Sequence, residues 1–373
     1  MRRATVRRAA DSPAAGGHPH WLAIDSGPGR RLEQLDLGDG HVTAPGSRVI
    51  AWNWVRLKEL ELRPVNGAAG ATGQSRRIER RRPGASSARW RPTSSSAVPD
   101  WSRTVHCIGD LHAGAIPRAR LAAVGRDIER LPAPRLHLQI GDATESGTDD
   151  EDRQALRFLA RLPGPWVTVL GNHDILHNKR SPRDWAKTYD QPGHNFTVDL
   201  PFARLIVLGP ERTDPGNQAG MLSPSTLSFL DRELARSPKD CWLACHWPLF
   251  RTVMGDPHRN FTSAMAAFHA KPDERIRTVL ARHTNAKVWL SGHTHSPLDA
   301  PGLITHAELP RERSIAAINF SALVGVGKQR EPDDPLRSLY LTQRAGRIEV
   351  RCRDHRAGVW TDVRGRRVVE VRL

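Results

Sequence analysis

Short apolar runs in this chain stop, again and again, at a residue type that binds metals. RTVHCIG (103–109) runs into Asp110, with His112 two residues on, and RLHLQIG (135–141) runs into Asp142. WVTVLG (166–171) meets Asn172, His173 and Asp174, CWLAC (241–245) meets His246, and KVWLSG (287–292) meets His293, with His295 after it. Each run has strand length and β-branched or aromatic content. Gly109, Gly141, Gly171 and Gly292 close four of them, and glycine lets a chain turn sharply and approach a ligand closely. Helical stripes lie between the runs. Leu121, Val124, Ile128 and Leu131 follow 3-4-3 spacing, and Leu227, Leu230 and Leu234 follow 3-4 spacing behind a Ser223-Pro224 start signal. Strands alternating with helices predict an α/β architecture of sheets covered by helices, in which ligands bind at the carboxyl ends of the strands. Segments 303–306, 315–320, 338–342, 347–353 and 366–372 read as later strands that complete a second sheet.

The pattern begins only after a composition break near residue 98. Residues 66–99 are rich in Gly, Ala, Ser, Arg and Pro, and SRRIERRRPGASSARWR carries seven Arg against one Glu. Such a segment buries too little apolar surface to offset its ordering entropy, so residues 1–99 are expected to be a largely disordered basic extension. Within it, 20–24 and 49–57 have the content of strands. Residues 100–373 are expected to form the functional domain. Met1 is the only Met ahead of the motifs, and a start at Val98, just before the first strand, is a further expectation for a GC-rich gene.

The net charge of +16, from 56 basic and 40 acidic residues, invites a nucleic-acid reading. Only 7 of the basic residues are Lys, however, and residues 1–99 alone hold 17 basic against 8 acidic residues. A solvated basic tail therefore explains the excess better than a binding groove, which argues against a nucleic-acid partner. No apolar run reaches the ~20 residues of a membrane span, and no apolar stretch follows the basic N-terminus as a secretion signal requires. A cytoplasmic protein without a membrane partner is expected. Cys107, Cys241, Cys245 and Cys352 form no CxxC pair and read as buried thiols.

Asp110, His112, Asp142, Asn172, His246, His293 and His295 are too many ligands for one ion and suit two. A bridging carboxylate holds such ions ~3.5–4 Å apart in two-metal hydrolases. Oxygen and imidazole donors without thiolate favour Mn, Fe or Zn.

Read in order, GDLH (109–112), GD (141–142), GNHD (171–174), an isolated His246 after a strand and GHTH (292–295) resemble the calcineurin-like metallophosphoesterase superfamily over about residues 103–360. The resemblance implies a four-layer αββα sandwich of two mixed β-sheets with a dinuclear centre. It implies Asp110, His112 and His295 on one metal, Asn172, His246 and His293 on the other, and Asp142 bridging. It further implies that Asn172 and His173 bind substrate phosphate and that His173, oriented by Asp174, protonates the leaving group. The implied reaction is hydrolysis of a phosphodiester by in-line attack of a metal-bridging hydroxide.

Within the superfamily, GDATESGTDDEDRQALRFLARLPGPWVTVLGNHD is similar to bacterial cyclic-nucleotide-phosphodiesterase-like members. The protein Ser/Thr phosphatases carry GDxVDRG and GNHE instead. Purple acid phosphatases need Tyr where this chain has Glu145, and the UDP-diacylglucosamine hydrolases have Arg where it has His173. This chain departs from the cyclic-nucleotide branch at Trp247, where a second His is common, and at Ile175–His177, which lacks an Arg. A small phosphoester, such as a cyclic nucleotide, is the expected substrate. A phosphomonoesterase, a nucleotide pyrophosphatase or a non-catalytic metal-binding scaffold is the alternative.

Blander roles are expected elsewhere. Glu145 suits a helix start or an outer-shell contact, and Asp149–Asp152 suits the solvated first turn of a helix. His177, His194, His269 and His283 lie outside every block, and Lys179, Arg180, Arg251 and Arg259 read as surface charge.

Overall fold

The computed structural model describes residues 99–175, 180–213, 220–254, 261–297, 300, 302–323, 325, 336–363 and 366–373, with the backbone of three short N-terminal strands. The chain divides into two units, Met1–Arg80 and Arg81–Leu373. In the first, β1 (Trp21–Asp25) pairs antiparallel with both β2 (Leu35–Asp36) and β3 (Arg48–Ala51). β1 and β3 fall on the strands expected near 20–24 and 49–57. Apart from these strands and Pro99, the extension over 1–99 that was expected to be largely disordered lies outside the described residues, as does the expected start at Val98.

The second unit is an α/β sandwich of two mixed sheets. In the first sheet, β4 (Thr104–Ile108), β5 (Leu136–Gln139) and β6 (Trp166–Thr168) run parallel. The other sheet has β8 (Arg204–Leu208), β11 (Cys241–Cys245), β12 (Ala286–Ser291) and β14 (Arg313–Asn319) in parallel. Antiparallel strands β7 (Phe196–Asp199) and β13 (Ile304–Leu309) form its edges. A separate small ribbon joins β9 (Arg212–Thr213) to β10 (Gly220–Met221).

The late strands differ from expectation. Only β13 and β14 join the second sheet. β15 (Arg337–Arg344) returns to pair antiparallel with β4, followed by β16 (Arg347–Asp354), which carries both β17 (Val359–Thr361) and β18 (Val369–Arg372). Among the described residues the first sheet thus has seven strands and the second six.

Period-two alternation sorts side chains between layers. Along β11, Trp242 and Ala244 face a core shared with Val105, Leu138, Val288, Leu341 and Val350 from both sheets. Cys241, Leu243 and Cys245 face outward instead, against α4 (Pro224–Arg236) and α5 (Asp273–Arg282). On the opposite outer face, α1 (Arg118–Ile128), α2 (Asp149–Leu159) and α3 (Pro182–Thr188) cover the first sheet. Two sheets sharing one core, with helices on both outer faces, make four layers. All four cysteines are buried free thiols. No helix among the described residues is long and apolar enough to cross a membrane.

Helix starts follow local chemistry. Ser223 Oγ accepts from Thr226 N–H with Pro224 in the first turn, and Leu227, Leu230 and Leu234 are buried. Thr148 and Glu151 form a reciprocal capping box on α2. The acidic first turn of α2 is only partly solvated, against expectation. Asp152 is buried, pairs with Arg180 and accepts from Tyr189 Oη at 2.9 Å. Arg180 also donates to the Gly147 carbonyl at 2.7 Å, so it ties α2 to the chain entering α3 and is not a surface charge. Arg251 is exposed, while His177, Lys179 and Arg259 lie outside the described residues.

Candidate metal centre

The crevice at the carboxyl ends of the parallel strands of both sheets collects the motif residues. Asp110 and His112 follow β4, Asp142 follows β5, Asn172–Asp174 follow β6, His246 follows β11, and His293 and His295 follow β12. Cross-links fix these loops. Leu111 and His112 N–H both donate to the Asp142 carbonyl at 3.0 and 2.8 Å, and Gly292 N–H donates to the His246 carbonyl at 2.9 Å. Two glycines are required by close approach. A side chain at Gly141, whose φ is +98°, would run into the His246 ring, and one at Gly171 would run into Asp142.

Four of the motif residues hold left-handed backbone angles, with φ of +47° at His112, +51° at Asp142, +69° at His293 and +47° at His295. Such angles cost a non-glycine residue ~1–3 kcal/mol and persist where surrounding structure enforces them for function.

Donor atoms converge in three overlapping groups, each within 4.8 Å: Asp110, His112 and His295; His112, Asp142 and His173; and Asp142, His246 and His293. Asp142 Oδ2 lies 3.2 Å from His246 Nε2 and 3.5 Å from His112 Nε2, between two of these groups. Asp110 Oδ1 lies 3.5 Å from His295 Nε2 and 3.9 Å from His246 Nε2. Asn172 joins through Oδ1, which is 3.2 Å from His246 Nε2. His112 Nε2 and His295 Nε2 are themselves 3.2 Å apart.

Outer contacts set which ring nitrogen faces the crevice. His246 Nδ1 donates to the Ile140 carbonyl at 2.8 Å, so its Nε2 faces Asp142 Oδ2 and Asn172 Oδ1. His112 Nδ1 lies 2.6 Å from Glu145 Oε2, and His293 Nε2 donates to the Ala267 carbonyl at 3.2 Å. An imidazole that gives its far N–H to a carboxylate or carbonyl is oriented to bind a cation with the other nitrogen.

His173 is half-buried where its neighbours are fully buried, and its ring packs edge-on against His112 at 4.6 Å. Its N–H donates to Asp142 Oδ1 at 2.9 Å, and its Nδ1 donates to the Glu145 carbonyl at 2.7 Å. The orienting contact expected from Asp174 is therefore made by a backbone carbonyl. Asp174 accepts from Thr144 N–H, Thr144 Oγ1 and Gly171 N–H, and so stitches the second motif loop to the third. A backbone acceptor leaves no trace in residue types, so pattern reading could not have found it.

The electrostatics favour a cation. Among the described residues no Lys or Arg pairs with the fully buried Asp110 or Asp142, although buried carboxylates carry a large desolvation cost. Burial would raise both acids, but the surrounding histidines win. They hold Asp110 at about 2 and Asp142 well below the usual carboxylate range. Burial would likewise depress His246, yet Asp142 and Asp110 lift it to about 9. Burial dominates at His112, near 4, and at His293, near 3, where His246 adds repulsion. Asp110 Oδ2 and His295 Nδ1 are buried with no hydrogen-bond partner. Ionised carboxylates, the neutral imidazoles of His112 and His293 and orphaned donor atoms fit divalent cations, and a cation bound there would take the place of the proton that the carboxylates draw onto His246.

Several known proteins resemble this chain. The Calcineurin-like phosphoesterase family profile matches residues 103–297. The chain is 25% identical over 165 residues to a probable glycerophosphodiester phosphodiesterase of Arcobacter nitrofigilis, covering 44% of this chain and 58% of that one. It is 26% identical over 206 residues to a probable cyclic nucleotide phosphodiesterase of Synechococcus sp., covering 53% and 72%. Among solved structures, a dimetal phosphatase from Danio rerio is similar at 15% identity and a TM-score of 0.49, covering 69% of this chain and 97% of that one. With its motif residues gathered in one crevice and the family profile spanning all of them, this chain belongs to the calcineurin-like phosphoesterase family.

Proposed function

We propose that the chain is a dinuclear metal-dependent phosphodiesterase whose working unit is residues 100–373. One observation carries the reading. Carboxylate, amide and imidazole donors from five strand ends converge within a few ångströms, with their ring nitrogens set by outer hydrogen bonds. Asp110, His112 and His295 would hold one ion and Asn172, His246 and His293 the other, with Asp142 shared. Mn, Fe or Zn suits that donor set. Ions bound there supply Lewis-acid stabilisation of a phosphoryl group and acidify water at neutral pH.

The protein's own groups do the rest. Asn172 and His173 flank the place where a phosphoryl group meets the ligand cluster. His173 Nδ1 is committed to the Glu145 carbonyl, so Nε2 is the atom that hands a proton to the departing alkoxide. Both relatives named above carry phosphodiesterase names, which favours a diester over a monoester.

The test compares bis-p-nitrophenyl phosphate with p-nitrophenyl phosphate on the full chain, stripped of metal and reloaded with Mn. Metal-dependent turnover that favours the diester is expected. A preference for the monoester, or turnover indifferent to metal, contradicts the reading.

A further inference from the structure

β14 ends at Asn319, in register with Ser291, the last residue of β12, which places its side chain beside the loop that carries His293 and His295. Asn319 is buried, and its whole amide is spent on that loop. Nδ2 donates to the Gly292 carbonyl at 2.7 Å and to Ser291 Oγ at 3.1 Å, and Oδ1 accepts from Thr294 Oγ1 at 2.9 Å. The amide can face only one way, because the nitrogen alone donates to a carbonyl. Thr294 gives its single hydroxyl proton to Asn319, so Ser296 Oγ, 3.0 Å away, is the donor to Thr294 Oγ1. The held residues alternate with the histidines: Gly292 and Thr294 flank His293, and Thr294 and Ser296 flank His295.

This loop needs holding. Thr294 N–H donates to the Gly292 carbonyl at 2.8 Å, which closes a three-residue turn with His293 at its centre and φ of +69°. Such turns are rare and strained, and they persist where neighbours over-determine them. Asn319 donates to the very carbonyl that closes the turn. The chain beyond it reaches the other sheet. Phe320 N–H donates to the Ser291 carbonyl at 2.7 Å, and Leu323 N–H donates to the Asp110 carbonyl at 3.0 Å. A side chain at Gly109 would run into the Ser321 carbonyl. Residues 319–323 therefore join the loop that follows β12 to the loop that follows β4, and His293 N–H completes the link at 2.9 Å from Asp110 Oδ1.

We propose that Asn319 is a positioning residue of the metal centre, whose amide acts through Gly292 and Thr294 to set the backbone from which His293 and His295 reach separate ions. The inference rests on the dinuclear reading, in which each ion takes one ligand from this loop. Asn319 itself contacts neither ion. Without its hydrogen bonds the strained turn relaxes toward ordinary backbone angles, and each ring moves with its backbone.

The test titrates the metal-stripped full chain with Mn, read by calorimetry and by electron paramagnetic resonance, with urea unfolding of the stripped protein alongside. The unmodified chain is expected to bind two Mn with the spectrum of a coupled pair. Asn319→Ala is expected to weaken Mn binding about tenfold or more and to replace that spectrum with one of separate ions. Asn319→Asp keeps the shape but sets an oxygen against the Gly292 carbonyl, so it should do no better. Thr294→Val should weaken binding by removing one hydroxyl, and Thr294→Ser should restore it.

A merely structural role predicts a lower urea midpoint with Mn affinity and pair spectrum unchanged in the folded variants, and that result overturns the proposal. Should Asn319→Ala fold poorly, the two Thr294 variants decide, since equal Mn affinity in them refutes the positioning role. Failure of the unmodified chain to bind two Mn overturns the dinuclear reading and this role with it. Two bound Mn with unaltered variants overturns the role alone.

Discussion

Glu145 lies against His112, with Oε2 2.6 Å from the imidazole Nδ1, and the same residue's carbonyl receives Nδ1 of His173. One residue thereby orients a candidate metal ligand through its side chain and the candidate proton donor through its backbone. The two duties can be separated by substitution. Glu145→Ala removes the carboxylate and leaves the carbonyl. Mn affinity of the stripped protein should fall about 10–100-fold by calorimetry, with Glu145→Gln losing less because its amide oxygen still accepts. Unchanged affinity in the alanine variant would mean that the contact does not tune the ligand.

His173 should behave in the opposite way. It is the half-buried member of the cluster, and its loop is held by backbone contacts that survive truncation of the ring. His173→Ala is expected to keep bound metal and lose about 10²–10⁴-fold in kcat on a diester with a poor leaving group. The loss should shrink for p-nitrophenolate, which departs without a proton. A loss independent of the leaving group would assign His173 another role.

Away from the centre, Asp127 is buried on α1 between Arg353, which makes two hydrogen bonds at 2.9 and 2.7 Å, and His355 at 2.9 Å. Burial would raise this acid, but Arg353 and His355 hold it well below the usual carboxylate range. A depressed folded-state pKa contributes stability above the unfolded value of ~3.9 that is lost as pH falls through and below it. Asp127→Asn should therefore cost about 3 kcal/mol in urea unfolding at pH 7, because it leaves Arg353 buried and unpaired. The gap from the unmodified protein should narrow below about pH 4.

Two buried histidines set the opposite end of the acid response. His106 Nδ1 and His137 Nδ1 share a 2.8 Å hydrogen bond, which needs one donor and one acceptor, so the two rings cannot both be doubly protonated. Burial pushes His137 down to about 4 and His106 well below its usual value. Between pH 6.5 and 4 the unfolded chain binds protons that the folded protein refuses, so stability falls as pH falls through that window. His137→Gln should flatten the slope there by about 1.4 kcal/mol per pH unit, read from urea unfolding at stepped pH. An unaltered slope would show that His137 does not contribute.

The parts of the structure that sequence revealed are those whose cause is local. β4, β5, β6, β11 and β12 are apolar runs ending where a ligand-type residue begins, and both strand and crevice follow from that juxtaposition. The Leu227, Leu230 and Leu234 stripe emerged from spacing alone, because burial of one helix face needs no knowledge of its partner. The edge hairpin β7–β8 escaped because DLPFARLIV interrupts its apolar pattern with Asp199, Pro201 and Arg204. β15 was readable as a strand, yet its return to β4 was not, since pairing across more than two hundred residues is a long-range choice among sheet edges. Asp152 was misplaced for a related reason: its partners Arg180 and Tyr189 arrive from α3 and its approach. Charge runs look solvated until a distant element covers them.

The most direct test of the central claim is the metal content of the full chain after stripping, reloading with Mn and exhaustive dialysis, compared with Asp142→Asn. The account predicts about two Mn per chain in the unmodified protein and one or fewer in the variant, because the Asp142 carboxylate is shared between the two sides of the cluster. No retained Mn in the unmodified chain, or two ions still bound after the substitution, would contradict it.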